Sequence, residues 1–461
     1  PVGAPVGGEG VLSVEENERL TRVGPGTAMG ELMRRYWQPF LPVVRLDDNP
    51  VQKVRLLGED LVCYRDRAGR VGLVGRRCAH RLTSLEFGIP DEMGLRCPYH
   101  GWCYDSSGQC VETPLEPAHS KLAERVRIAG YPVAEMGGLL FAYMGPLPAP
   151  VLPPWDVLVW PNSIRQIGYT EIPCNWLQCQ ENAADPVHSV YLHGHLFRYV
   201  LEREGLLEQR APDPDTHRAF VSMGLAAGFD SVEATVDDHG IVKQTVHRAE
   251  LGAPQDLRRQ GAYLLFPNTV RVGGTIRNEL QIRVPIDDTT TLHFNYATYV
   301  APPGVQAPPQ DRIPCYEVPI VDPNGSPILD YILAQDMVAW WSQGPVTDRT
   351  AERLASTDSA LRRFRQLLDE QLTAVELGVD PMNVFREPVH GGGPIDLPPP
   401  IGSAPIGPTA LSRLAYHRGY FQDDADRYGP LVDDIIELSR RVEANLAADL
   451  AVPSSPASAP R

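Results

Sequence analysis

Residues 78–102 read CAHRLTSLEFGIPDEMGLRCPYHGW. They place Cys78-x-His80 and Cys97-x2-His100 on either side of a sixteen-residue spacer. Structural zinc sites usually separate the ligands within each couple by two to four residues. Here one couple is separated by a single residue and the other by two. In a [2Fe-2S] centre of mixed ligation, two cysteines hold one iron and two histidines the other. Each couple then supplies one ligand to each iron, which suits Cys-x-His paired with Cys-x2-His. Gly101 lets the backbone approach such a centre, and Pro98 stiffens the second loop. Zinc remains the competing occupant.

The 461 residues suffice for two or three domains with real cores. No run of eighteen apolar residues occurs, so no membrane span is expected. The stretch PVGAPVGGEGVLSVEENERL (1–20) lacks a basic segment followed by an apolar one, so no signal peptide is expected. A net charge of −16 argues against a nucleic-acid partner, which requires a basic face. Eight thinly spread cysteines suggest thiols and metal ligands of a cytoplasmic protein, not a disulfide framework.

Along the chain, GTAMGELMRRYW (26–37) sets Met29, Leu32, Met33 and Tyr36 on one helical stripe. Short β-prone runs with turn signals over 51–75 suggest hairpins. GGLLFAYMGP (137–146) suggests a closing strand, and PLPAPVLPPWD (146–156) a domain boundary. A helical stretch at 176–193 follows. VEATVDDHGIVKQTV (232–246) and LQIRVPIDDTTTLHFNYATYV (280–300) carry hairpin turns at Asp-Asp-His-Gly and Asp-Asp-Thr-Thr. Helices are expected at 328–343 and 359–377, each ended by a glycine. A Pro/Gly loop spans 390–408, a last helix 429–450 and a disordered tail 451–461. Strand runs first and helices later indicate an α+β chain. The expected division is an N-terminal helical segment (1–44) packing on a catalytic domain, an antiparallel β cluster domain (45–155), a catalytic domain of antiparallel sheet and helices (156–450), and the tail.

With its flanking residues, CAHRLTSLEFG…GLRCPYHGWCYD resembles the Rieske non-haem iron oxygenases, and most of all the large subunits of the phthalate dioxygenase-like branch. LSVEENERLTRVGPGTAMGELMRRYWQP (12–39) and VRIAGYPVAEMGGLLFAYMGP (126–146) resemble that branch too, so the likeness spans about residues 11–370. Respiratory-chain Rieske proteins carry an extra cysteine in each loop and a serine after the second His-Gly. Here Thr83, Tyr99 and Trp102 stand at those places, and fewer hydrogen bonds to the sulfurs should lower the potential.

A second constellation lies in NWLQCQENAADPVHSVYLHGHL (175–196). Asp185 and His188, three apart, share a helix face. His193 lies about 140° round an ideal helix from His188. Both reach one ion only if the helix distorts or ends between them; Gly194 suggests an end, and Pro186 a kink at the start. An Fe(II) facial triad needs two histidines and a carboxylate, leaving open positions. Resemblance over AQDMVAWWSQGPVTDRTAERLASTDS (334–359) implies Asp336 as that carboxylate. Its helical face, shared with Ile332 and Trp340, would make an unpaired charge costly. Asp348 and Glu352 are expected to be solvated or paired with Arg349 and Arg353. His195 is expected as an exposed helix-end residue, and Cys103, Cys110, Cys174 and Cys179 as packing residues.

The resemblance implies a helix-grip catalytic domain and a terminal oxygenase that hydroxylates or O-demethylates an aromatic substrate, an aryl carboxylate or aryl ether. It implies one Rieske cluster and one Fe(II) per chain, O2 as co-substrate, and NAD(P)H electrons delivered through a flavin or iron–sulfur reductase or a ferredoxin. It implies a homotrimer or dimer of trimers in which Asp185 links His100 of one chain to His188 of the next. A Rieske electron carrier without oxygenase activity is the alternative, but it would need only about the first 150 residues. Arg271 and Arg283 are candidates to grip a substrate carboxylate, against an ordinary place on the strand surface.

Overall fold

The computed structural model describes residues 11–210 (except 118), 229–247, 259–273, 277–301, 304 and 306–399. The expected helix at 429–450 and the tail lie outside them, as does the end of the 390–408 loop. Among the described residues, no helix is long and apolar enough to cross a membrane.

Two small antiparallel sheets carry the Cys/His loops. One joins Val51–Leu56, Glu59–Arg65, Val71–Gly75 and Gly130–Tyr131; the other joins Ile89–Asp91, Gly94–Arg96, Cys103–Tyr104 and Cys110–Glu112. Leu57 and Gly58 both adopt positive φ, which lets the first hairpin turn in two residues. A three-stranded sheet pairs Trp37–Pro42 with Leu139–Tyr143 and Val133–Met136. The first of those strands falls in the segment expected to be helical, yet its partners belong to the expected cluster domain. The helical stripe near it is shorter than its sequence pattern: Ala28–Met33 forms the helix, and Tyr36 is buried just past its end.

The largest sheet has eight strands. Five hairpin connections run in order from Phe229–Val236 through Gly240–His247, Arg259–Leu265, Thr269–Gly273 and Arg277–Asp287 to Thr290–Val300; Ser163–Ile172 and the parallel Cys315–Glu317 complete it. Helices Trp176–Ala184, Ile332–Trp341 and Ser359–Glu376 pack on one another or on this sheet. Ser359–Glu376 buries Ala360, Phe364, Leu367, Leu368 and Leu372 at helical spacing, and Gly378 beyond its end has φ +75°.

The N-terminal helix Val14–Thr21 starts with a Ser13/Glu16 capping box. Asn175 donates to Thr21 O and Val23 N–H to Asp288. These bonds tie the N-terminal segment to the start of helix Trp176–Ala184 and to a turn of the large sheet.

Candidate active site

The two cluster loops are near-copies of each other. Cys78 N–H donates to Thr83 O and Cys97 N–H to Trp102 O; Leu82 N–H returns to Cys78 O and Gly101 N–H to Cys97 O. Four residues after each cysteine the backbone turns left-handed, at Leu82 (φ 60°) and Gly101 (φ 76°). At Gly101 a Cβ would stand 2.8 Å from Pro114 Cγ, so glycine is required by space as well as by φ.

Cys78 and Cys97 are buried, whereas His80 is exposed and His100 half-buried. The imidazole centroids lie 4.5 Å apart, and the Trp102 indole stacks on His80 at 4.6 Å. His100 Nδ1 is buried without a hydrogen-bond partner. Burial pushes the Cys97 thiol up, the Tyr99 N–H pulls it down, and Cys78 pushes it up again. Two inward thiols and two outward imidazoles fit a cluster with one iron in the protein and the other at its surface.

Tyr104 was not anticipated. Its hydroxyl lies 3.2 Å from Cys78 Sγ and accepts the Ala79 N–H at 3.1 Å, so toward a Cys78 thiolate it is the donor. The expectation of few hydrogen bonds at the sulfurs must therefore allow for this one. The sequence signal was available, two residues beyond Trp102.

The second constellation meets the spacing difficulty by the first of the two expected routes, a distorted helix. The helix Trp176–Ala184 ends at Asp185, and the chain re-enters as a π-helix over Ser189–Leu196. The i→i+5 period of a π-helix brings residues five apart to one face, so the other route, a helix end at Gly194, is not needed. His188 and His193 meet Asp336 from helix Ile332–Trp341. Their donor atoms lie within 4.8 Å of one another; among the described residues this is the one trio of His, Cys, Asp or Glu that converges so closely. His193 Nε2 stands 3.1 Å and His188 Nε2 3.5 Å from Asp336 Oδ1. That oxygen is buried and receives no hydrogen bond. A bound cation removes the cost of leaving it so, and the donor set fits iron.

Each histidine is oriented through its far nitrogen. His193 Nδ1–H donates to Gln335 Oε1 at 3.0 Å, and Gln335 is itself anchored on Leu329 O. His188 Nδ1–H donates to the backbone carbonyl of Asp185 at 2.6 Å. The Asp185 carboxylate, 3.7 Å away, is not the acceptor of that bond. It accepts the N–H groups of Val187 and His188 at 2.7 and 3.2 Å, capping the next turn. Burial raises the Asp185 pKa, but His188, the Val187 N–H and Lys243 bring it below the ordinary value. Likewise burial opposes charge on Asp336, yet the two histidines and Arg283 hold its pKa low. A cleft of about 520 Å³ opens beside Asp185 and His188, bordered by Asn182, Tyr191 and Gln343.

The expected substrate arginines part company. Arg271 is buried on the opposite face of the sheet, where it pairs with Asp156 at 3.0 Å and also reaches Leu397 O and Asn278. Both its role as a free substrate grip and its surface alternative are corrected: its charge is spent internally. Arg283 is buried too, but it lies on the face towards Asp336, over the Trp340 ring, with Nη1 and Nη2 both on Gln281. His293, its cross-strand partner, is fully buried with neither ring nitrogen bonded. Glu352 pairs with Arg365, and Arg349 with Glu181, so the expected pairing of Glu352 with Arg349 or Arg353 is corrected, while Asp348 is exposed in line with the solvated alternative. Asp348 is capped by Thr350, while His195 is exposed and stacks on Tyr191.

The family model of the Rieske [2Fe-2S] domain matches residues 36–132. The 5,5'-dehydrodivanillate O-demethylase oxygenase subunit of Sphingobium sp. is 37% identical over 381 residues, covering 82% of this chain and 84% of its own. The chain belongs to the Rieske non-haem iron oxygenases. A tert-butanol monooxygenase / tert-amyl alcohol desaturase oxygenase subunit from Aquincola tertiaricarbonis is 49% identical over 391 residues, covering 80% and 78% of the two chains. The phthalate 4,5-dioxygenase oxygenase subunit of Pseudomonas putida is 31% identical, covering 80% and 88%. The oxygenase of carbazole 1,9a-dioxygenase, solved in complex with its ferredoxin, shares the fold with TM-score 0.54 at 19% identity, covering 83% and 98%. This oxygenase accordingly uses a Rieske [2Fe-2S] cluster, mononuclear iron and O2. It draws NAD(P)H electrons through a partner reductase or ferredoxin, as oxygenases of the family do.

Proposed function

We propose that this oxygenase hydroxylates or O-demethylates an aromatic substrate, an aryl carboxylate or aryl ether. Cys78, His80, Cys97 and His100 would hold the cluster, and His188, His193 and Asp336 the iron. The observation that carries the iron assignment is the convergence of those three donors around a buried carboxylate oxygen that receives no hydrogen bond. When bound, the iron activates O2 with electrons supplied by the cluster. The chain's own part is to fix both imidazoles through Gln335 and the Asp185 carbonyl and to keep Asp336 ionised.

We further propose residues 45–155 and 156–450 as the cluster and catalytic domains, a cytoplasmic location, and a head-to-tail trimer. Asp185 would join His100 of one chain to His188 of the next. Outward His100 and the open cleft at Asp185 and His188 support this arrangement. A second reading, oxidation of a tertiary alcohol, is favoured by the 49% identical relative. Reconstitution with a reductase, then product analysis on aryl carboxylates, aryl methyl ethers and tert-butanol, separates the two. Oxygenated product from the alcohol alone would overturn the aromatic reading.

A further inference from the structure

Strand Gly240–His247 points Ile241, Lys243 and Thr245 to one face, and all three are buried. Lys243 is 6% exposed. It stands between Ala234 and Ala262 on the neighbouring strands, whose short side chains leave its length unobstructed. The register Ile241↔Leu264, Leu264↔Val270 and Val270↔Gln281 puts it on the same face of the sheet as Arg283, which faces Asp336, and Asp185 and Asp336 are within its electrostatic reach. Yet among the described residues it makes no ion pair or hydrogen bond. The other buried cation on this face, Arg283, has its fork occupied by Gln281.

A buried ammonium without its own counter-ion is costly. Asp185 gives its carboxylate to two backbone N–H groups, and Asp336 faces the two histidines. Burial lowers the Lys243 pKa to about 8 and the two aspartates oppose this, so its charge depends on negative neighbours. Ions held by the triad would add positive charge to the same space. The counter-charge missing from this face is negative, and a ligand can bring it.

We propose that Lys243 is the specificity-determining residue of this site, its ammonium binding an anionic oxygen of the substrate, a carboxylate or a phenolate. This rests on the oxygenase reading above and narrows its substrate class. No bond is made or broken by Lys243: it positions the ring by one charge-assisted hydrogen bond.

The test is equilibrium binding by calorimetry to the metal-loaded full chain near neutral pH. Benzoate, methoxybenzoates and biphenyl carboxylates are each compared with their methyl esters, and nitrophenolates with the matching nitroanisoles. The wild type should prefer at least one anion to its neutral counterpart; whether that anion is a carboxylate or a phenolate identifies the source. Lys243→Met should weaken that anion roughly ten- to hundred-fold, the worth of a hydrogen bond to a charged group, and leave the neutral partner unchanged. Lys243→Arg should retain the preference, and Lys243→Gln should lose it. Cluster absorbance and iron content equal to wild type establish that each variant is folded. No anion preference in the wild type, or a preference that survives in Lys243→Met and Lys243→Gln, overturns the proposal. Binding with no oxygenated product would sink the oxygenase reading and leave the anion site standing.

Discussion

The cluster loops and the iron site solve the same problem, holding iron with few side chains, by opposite routes. All four cluster residues lie between Cys78 and His100, on two loops with the same hydrogen-bond pattern. The proposed iron trio draws His188 from the cap of a π-helix, His193 from within it and Asp336 from another helix far along the chain. The first site is local and turn-encoded. The second exists only once two helices pack against a sheet. A local site tolerates loss of distant contacts; an assembled site does not.

The comparison breaks most visibly when a ligand is removed. Cys78→Ser or His100→Ala should abolish the [2Fe-2S] absorbance and all turnover, since thiolate and imidazole ligation define that centre. A variant retaining the full spectrum would refute the assignment. Asp336→Ala should remove about one iron per chain while the cluster spectrum persists, because the iron site is built apart from the loops. Metal analysis beside visible spectroscopy checks this; unchanged iron content would shift the carboxylate elsewhere.

Asp185→Asn sharpens the contrast. Both metals should remain, because the His188 bond comes from the backbone carbonyl and not from the carboxylate. Electron delivery should slow by orders of magnitude if Asp185 bridges the sites. Single-turnover kinetics on pre-reduced protein, following cluster reoxidation with substrate and O2, reads this directly. Normal reoxidation would take Asp185 out of the path, and full activity from a monomer by light scattering would end the shared-site arrangement.

A smaller effect is expected one turn earlier. Buried Glu181 is gripped by Arg349 at 2.6 Å and Arg365 at 2.7 Å. Burial opposes its charge, but the two guanidinium groups hold its pKa below 4.5. The pair's stabilisation is therefore fully present above pH 4.5 and is lost as pH falls through the lower folded value. Glu181→Gln should cost about 3–5 kcal/mol at neutral pH, as breaking a buried pair does. It should also flatten the acid limb in urea unfolding. The cluster spectrum of the folded variant should not change. The smallest effect belongs to Tyr104→Phe, which should lower the cluster potential by on the order of tens of millivolts through loss of one hydrogen bond to Cys78. Redox titration of the isolated oxygenase measures it.

The cluster was legible because its chemistry is written in adjacent residues: two couples whose spacing departs from that of ordinary zinc sites. The iron histidines were legible as a pair, but their joint reach was not. A five-residue step contradicts an α-helix, and nothing in SVYLHGHL announces that backbone bonding shifts to i→i+5. Gln335 stood beside Asp336 in the sequence, yet only helix packing aims its carbonyl at His193.

The arginines teach the same lesson from the other side. Arg271 and Arg283 each lie in a strand, but adjacent positions in a sheet face opposite ways and the register decides which layer each enters. One meets Asp156 and the other faces the triad. Lys243 gave no sequence signal at all, because IVKQTV leaves open which face is buried. The sequence alone determined the Cys/His couples, the pair of histidines and the α+β order, since these depend on local spacing. Tertiary structure decided the π-turn, the fate of each arginine and the buried cation beside Asp336, since these depend on which surfaces meet when sheet and helices close.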